Sequence, residues 1–233
     1  MSASGWDVEQ MTGSARDFHA REVPMPARRS VWWLTVTRPA LVLGSTQRDD
    51  VADREALRRL GVELVRRRSG GGAVLLVPGD AIWVDVVLPA GDELWEADVG
   101  RSALWLGEVW SSTLLACGVP DLVVHRGRMV DGPWSRLVCF AGIAPGEVVV
   151  AGGGERGEVG SGHRAGAKVV GISQRRTRAA ARFQCALYRR FDASATVELL
   201  APPRPAAGDL TRLVRPVATP EPALRETFLR HLP

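Results

Sequence analysis

The chain has 233 residues, a formal net charge of +4, 45% hydrophobic and 24% charged residues, and eight Trp. That is enough for one large soluble domain with a substantial core, or one domain plus a small appendage. Three widely spaced cysteines with no CxxC argue against a structural zinc site and for a reducing compartment. The first residues have neither a basic nor an apolar signal region, and the apolar run Ala73–Pro89 is broken by Pro78-Gly79-Asp80 and Asp85. A cytoplasmic protein is expected, with no membrane partner.

In chain order, residues 14–22 suit a short helix. Val31–Thr37 and Leu41–Gly44 read as strands joined across Arg38-Pro39. Asp49 or Asp50 is expected to cap a helix through Leu60, with Gly61 as its stop. Val62–Arg66 is a short strand leading into Arg67-Arg68-Ser69-Gly70-Gly71-Gly72. Ala73–Val77 and Ala81–Leu88 are expected to form a hairpin around Pro78-Gly79-Asp80. Leu104, Leu106, Val109, Trp110, Leu114 and their neighbours give the longest helical pattern, from about Val99 to Cys117, ended by Gly118 and Pro120. Strands are expected at Leu122–His125, Glu147–Val150, Lys168–Ser173 and Phe183–Tyr188. Beyond Asp192 come a short helix at Ser194–Leu200, a Pro-rich linker, Pro202-Pro203-Arg204-Pro205, and a helix around Pro222–Leu232. Irregularly alternating strands and helices predict an α+β domain with a mixed, largely antiparallel sheet and flanking helices.

Gly152-Gly153-Gly154-Glu155-Arg156-Gly157 satisfies G-x-G-x-x-G, but no helix pattern follows it. A dinucleotide fingerprint must open a helix. Residues 151–165 therefore read as a loop between strands, and there is no P-loop motif either. The arginine runs have neither a regular basic helix nor interleaved aromatics, so nucleic acid is not an expected partner.

Two segments concentrate chemistry. Lys168 is the only lysine among thirty basic residues. A compact ammonium on a flexible stem differs from an Arg fork in donor geometry, and Gly166-Ala167-Lys168-Val169-Val170-Gly171 surrounds it with small and apolar residues. A leftover lysine at a strand end is the plainer account. The second segment is Arg67 to Ala73. Three consecutive glycines leave backbone N–H groups uncovered and leave room for a ligand chain, with arginine charge beside them. A flexible turn with a solvated basic run is the alternative.

Arg67-Arg68-Ser69-Gly70-Gly71-Gly72-Ala73-Val74, followed far downstream by Lys168-Val169-Val170-Gly171-Ile172-Ser173-Gln174, resembles the catalytic domain of lipoate–protein ligases and the related octanoyltransferases. Leu43-Gly44-Ser45-Thr46-Gln47 is similar to the family's early strand end. The resemblance spans roughly residues 30–192. It implies the biotin/lipoate protein ligase fold, related to class II aminoacyl-tRNA synthetases, with residues 1–192 as the catalytic domain and 193–233 as a short tail without a full accessory domain. It implies that a lipoyl or octanoyl group passes to a lysine of an acidic carrier, the lipoyl domain of a 2-oxoacid dehydrogenase E2 subunit or a glycine-cleavage H protein.

Under that resemblance Lys168 stabilises charge developing on the carbonyl or phosphate. Arg67, Arg68, Ser69, Gly70, Gly71, Gly72 and Ala73 hold the acyl chain and anionic groups. Gly171, Ile172 and Ser173 hold the nucleotide or reacting carboxyl. The ligase route uses ATP and Mg²⁺ through an acyl-adenylate and is expected first.

Cys139-Phe140, eight residues before Glu147, resembles the nucleophile segment of one octanoyltransferase group, which needs no ATP. A small buried thiol is the plainer account of Cys139. Two departures stand out: Ile172 where the family has Ser, and Gln184-Cys185 where it commonly has His-Gly. A non-catalytic binder of lipoate or carrier is the remaining alternative.

Overall fold

The computed structural model describes residues 5–152 and 166–233. Its strands are β1 (Asp7–Gly13), β2 (Ser30–Val36), β3 (Ala40–Leu43), β4 (Glu63–Arg66), β5 (Val74–Leu76), β6 (Ala81–Pro89), β7 (Leu122–Val124), β8 (Val148–Val150), β9 (Lys168–Arg176) and β10 (Ala180–Tyr188). The helices are α1 (Ala15–Ala20), α2 (Arg54–Arg59), α3 (Leu104–Ala116), α4 (Ala193–Glu198), α5 (Ala207–Thr211) and α6 (Glu221–His231). Among the described residues the strands form a seven-stranded sheet, ordered β1-β2-β6-β10-β9-β8-β7, and a three-stranded sheet, β4-β3-β5. The large sheet is antiparallel apart from the β1–β2 pair. The architecture is thus mixed α+β with flanking helices, as expected.

The large sheet's strand alternation decides what each of its faces becomes. Successive side chains point to opposite faces. Ile82, Val84, Val86 and Leu88 of β6, with Phe183, Cys185 and Leu187 of β10, pack into the core that holds Leu106, Trp110 and Leu114 of α3 and Leu224 and Phe228 of α6. Trp110 and Phe228 lie 4.4 Å apart, ring centre to ring centre. The other face presents Trp32, Trp83 and Val87 to the small sheet's Val42, Val65 and Leu76 and to Phe18 of α1. The space left on this second face becomes the site.

Several elements differ from expectation. The run Ala73–Leu88 is not a hairpin: β5 pairs with β3 in the small sheet and β6 with β2 and β10 in the large one. Pro78-Gly79-Asp80, with Gly79 at φ +77°, turns a corner between sheets. The cap of α2 is Asp53, whose carboxylate accepts from the amides of Glu55 and Ala56; Asp49 and Asp50 fall in a 3₁₀ turn instead. α3 begins at Leu104, because residues 99–103 form turns in which the Ser102 hydroxyl donates to the Val99 carbonyl. β1 has no counterpart in the sequence reading, and its largely exposed residues carry no apolar alternation that would reveal it.

Residues 193–233 pack into the body of the fold. Leu199, Leu200 and Leu210 lie in the small-sheet core and α6 lies in the main one. The backbone of 213–215 brackets the start of β9: Lys168 N donates to Leu213 O at 2.8 Å and Arg215 N to Lys168 O at 2.9 Å. The loop expected at 151–165 lies, beyond Gly152, outside the described residues.

Candidate functional site

A narrow cleft lies between the second face of the large sheet and the small sheet. Ladder register sets its floor. Gly171 pairs with Ala186 and Ser173 with Gln184, so these four residues share one face. Trp83 of β6, opposite Ala186, continues that face. Val42, Val74 and Leu76 of the small sheet face it, and His19, Arg67, Cys139 and Phe140 complete the wall. The lining is largely apolar.

Among the residues singled out in the sequence, Arg67, Cys139, Gly171 and Ser173 line this cleft. The others support it or stand apart. Gly71 adopts φ +97°, and a Cβ on it would meet Arg67 Nη2 at 2.9 Å. A Cβ on Gly72 would sit 2.6–2.7 Å from the backbone of Val138 and Cys139. The room made by Gly72 is therefore filled by the chain itself. Ala73 N donates to Leu137 O at 2.8 Å, and Cys139 N donates to Ala73 O at 3.0 Å. The glycine corner does not form an acyl wall; it docks the Cys139 segment. A Cβ on Gly70 meets nothing within 4 Å. Arg68 is exposed and pairs with Glu22, and Ile172 faces the helix-side core.

Arg67 is 4% exposed. Its guanidinium donates to Gly70 O (2.7 and 3.2 Å), Gly72 O (2.8 Å) and Val42 O (3.3 Å), and no carboxylate pairs with it among the described residues. Burial pulls this guanidinium below its usual range; charge on the Cys139 thiol opposes that.

Lys168 is 2% exposed and is not part of the cleft wall. Its Nζ lies 2.6 Å from Glu147 Oε2, donates to Cys139 O at 2.8 Å, and sits 5.3 Å from the centre of the Phe140 ring. Glu147 also accepts from the amides of Ala144 (2.7 Å) and Ile172 (3.1 Å). The Cys139 segment is thus held by the glycine corner through its amide and by the lysine through its carbonyl. The two sequence motifs meet on that segment rather than across open space.

They also meet directly. Ser69 Oγ lies 3.0 Å from Ser173 Oγ and donates to Gln184 Oε1 at 2.9 Å. Gln184 Nε2 lies 3.2 Å from Nδ1 of His19, whose ring stacks on Trp83 at 4.5 Å. The family's imidazole is missing at 184, but another stands beside it, delivered by α1. Burial, then the nearby Arg182 and Arg67 cations, lower His19 to about 3. His19, Gln184, Trp83 and Phe140 were not singled out as site residues. A lone His after Phe18 carries no local signal of a cleft.

The fold and cleft define an α+β domain with a largely apolar cleft bordered by a thiol and a buried cation. Residues 15–215 match the model of the lipoyl protein ligase A/B catalytic domain, and the chain belongs to that family of ligase and transferase enzymes. No curated protein sequence matches it. Among solved structures it is similar to a bi-partite lipoate protein ligase from Thermoplasma acidophilum, described with its E2 lipoyl domain (15% identity, 97% of this chain and 82% of that one, TM-score 0.70). It is similar also to lipoate-protein ligase A bound with ATP (16%, 97% and 83%, TM-score 0.67). A third is P. falciparum LipL1 in complex with lipoate (9%, 97% and 61%, TM-score 0.65). At these identities the likeness is one of fold. No helix among the described residues is long and apolar enough to cross a membrane.

Proposed function

We propose that the chain transfers a lipoyl or octanoyl group to a lysine of an acidic lipoyl carrier domain, through a thioester on Cys139. One observation carries the route: Cys139 opens onto the apolar cleft beside a buried arginine that has no carboxylate partner, whereas Lys168 is tied to Glu147 behind it. The buried Arg67 guanidinium has no carboxylate partner and can pair with an anion beside it; the thiolate is the nucleophilic form of a cysteine. That thiolate attacks the carbonyl of an acyl donor; a C–S bond forms and the donor's leaving group departs with the displaced electron pair. The carrier lysine's amine then attacks the thioester, an amide forms, its proton passes to solvent, and the C–S bond breaks to return the thiolate. Lys168 acts by fixing the Cys139 carbonyl and hence the nucleophile's backbone. Ser69, Ser173 and Gly171 shape the floor.

A second reading keeps the ligase chemistry. The similar structures include a ligase bound with ATP and another protein in complex with lipoate. In that reading a free acid's carboxylate would attack the α-phosphorus of ATP with release of pyrophosphate, the carrier lysine's amine would then displace AMP from the acyl-adenylate, and Mg²⁺ would supply neutralising charge on the phosphates. Lys168 would have to leave Glu147 to meet the phosphate.

The experiment that separates them incubates the protein with an apo carrier domain, Mg²⁺ and either free octanoate or an octanoyl thioester, with and without ATP. Mass spectrometry follows both proteins. An octanoyl adduct on the enzyme, absent in Cys139→Ala, and carrier acylation from the thioester without ATP are expected. Acylation only from free octanoate with ATP establishes the ligase. A carrier left unmodified in every arm rejects both.

A further inference from the structure

Three polar residues of the cleft region hand one direction of hydrogen bonding to a fourth. Asp85 lies directly across the ladder from Gln184, and its carboxylate is taken up by Trp83 Nε1 and Arg182. The Gln184 carbonyl accepts from Ser69, which accepts in turn from Ser173. The Gln184 NH₂ group faces His19 Nδ1 at 3.2 Å. An amide nitrogen only donates, so Nδ1 must be the acceptor and the ring proton must lie on Nε2. That Nε2 is buried and has no hydrogen-bond partner among the described residues, and His19, 8% exposed, lines the cleft. Burial, and then the Arg182 and Arg67 cations, keep the ring neutral throughout the physiological range.

We propose that His19 determines acyl specificity: its Nε2–H donates to a sulfur of a dithiolane-bearing chain and so favours lipoyl over plain octanoyl. This rests on the acyl-transfer reading above. Position supports the assignment to the chain's body rather than its carbonyl. Cys139 and Phe140 stand beside Gly171, where a Cβ would touch the Phe140 ring at 3.4 Å. His19 stands at the Ser173–Gln184 pair, two residues along the strands, roughly 7 Å away. A reacting carbonyl at Cys139 therefore leaves methylene or ring atoms at His19.

The other polar groups of the wall are already bonded to protein. A saturated chain laid over Nε2 leaves a buried donor unmet, and such a donor discriminates strongly against ligands that lack an acceptor. The disulfide sulfurs of a dithiolane are divalent, like the thioether sulfur of Met, which accepts weakly and packs well against aromatic rings. Trp83, stacked under His19, supplies such a ring in the same wall.

The test titrates lipoic acid and octanoic acid separately into the full chain by calorimetry, without nucleotide. The wild type is expected to bind lipoic acid about five-fold or more tighter, the ratio that ~1 kcal/mol gives. His19→Phe keeps the stack on Trp83 and removes the donor. It should weaken lipoic acid about five-fold or more and leave octanoic acid unchanged or tighter. His19→Gln, whose amide nitrogen reaches the place of Nε2, should restore part of the preference. Equal affinities in the wild type, or an equal loss for both acids in His19→Phe, overturns the proposal while leaving acyl transfer standing. Binding of neither acid, together with an unmodified carrier in the transfer assay, overturns both.

Discussion

Arg67 and Lys168 are both almost fully buried and both grip the same short stretch of chain, yet their charges are satisfied differently. Lys168 has a carboxylate, Glu147, at 2.6 Å. Arg67 has only carbonyls, those of Gly70, Gly72 and Val42. A cation matched by a carboxylate is neutralised where it lies. A cation matched by dipoles keeps a net charge, and here that charge faces Cys139 and the cleft. The lone lysine drew attention in the sequence, but the arginine is the cation available to an anion in the cleft.

The sharpest way to break this contrast is to remove the carboxylate. Glu147→Leu leaves Lys168 buried and uncompensated and takes an acceptor from the amides of Ala144 and Ile172. A destabilisation of about 3–5 kcal/mol is expected in urea unfolding. Adding Lys168→Met should recover much of it, because the pair is then absent rather than half-present. If Glu147→Leu alone costs no more than an ordinary surface change, Lys168 is not held as described.

Arg67→Lys probes the other cation. The ammonium keeps the charge but loses the fork that spans Gly70 O and Gly72 O. About 1.5–3 kcal/mol of stability should go, since hydrogen bonds to charged groups are the strong ones. Alkylation of Cys139 by iodoacetamide should slow further in Arg67→Met, where the charge is gone. An unchanged alkylation rate in Arg67→Met would separate Arg67 from the thiol.

The glycines test whether the carbonyl cage depends on backbone contact. Gly72→Ala must displace the Val138–Cys139 backbone and should cost ~1–3 kcal/mol. Gly70→Ala meets open space and should stay within about 0.5 kcal/mol of wild type. Equal costs at the two positions in thermal unfolding would contradict the docking of the Cys139 segment on the corner.

The contrast between the cations also marks what sequence could reveal. Motif order announced the two segments, and strand alternation in Ala81–Leu88 and Phe183–Tyr188 gave the sheet that carries them. That they meet through Ser69 and Ser173, over a hundred residues apart, needed the fold. What stayed hidden depends on long-range pairing. Nothing local in Leu75 to Ala81 tells that the chain leaves one sheet for another at Gly79. The filling of the Gly72 gap by Val138–Cys139 joins residues far apart in the chain. Glu147 was visible as the residue opening a strand, but its pairing with Lys168 required the fold. His19 was the most deeply hidden, because its neighbours in the cleft, Trp83 and Gln184, lie far along the chain.

The last expected effect, spread over pH, concerns that histidine. Its folded value near 3 lies below the ordinary 6.5, because burial and the Arg182 and Arg67 cations oppose a second charge. Above pH 6.5 both folded and unfolded rings are neutral, and the residue contributes no pH dependence. Below 6.5 the unfolded chain takes up the proton first, so stability falls as pH drops toward 3, by at most about 1.4 kcal/mol per unit. The measurement is the difference in unfolding free energy between wild type and His19→Phe from pH 7 to pH 4.5, which cancels the carboxylates common to both. A difference that shrinks with acid is expected. A flat difference would mean the ring protonates inside the cleft as readily as outside, and then Arg67 could not be the uncompensated cation beside it.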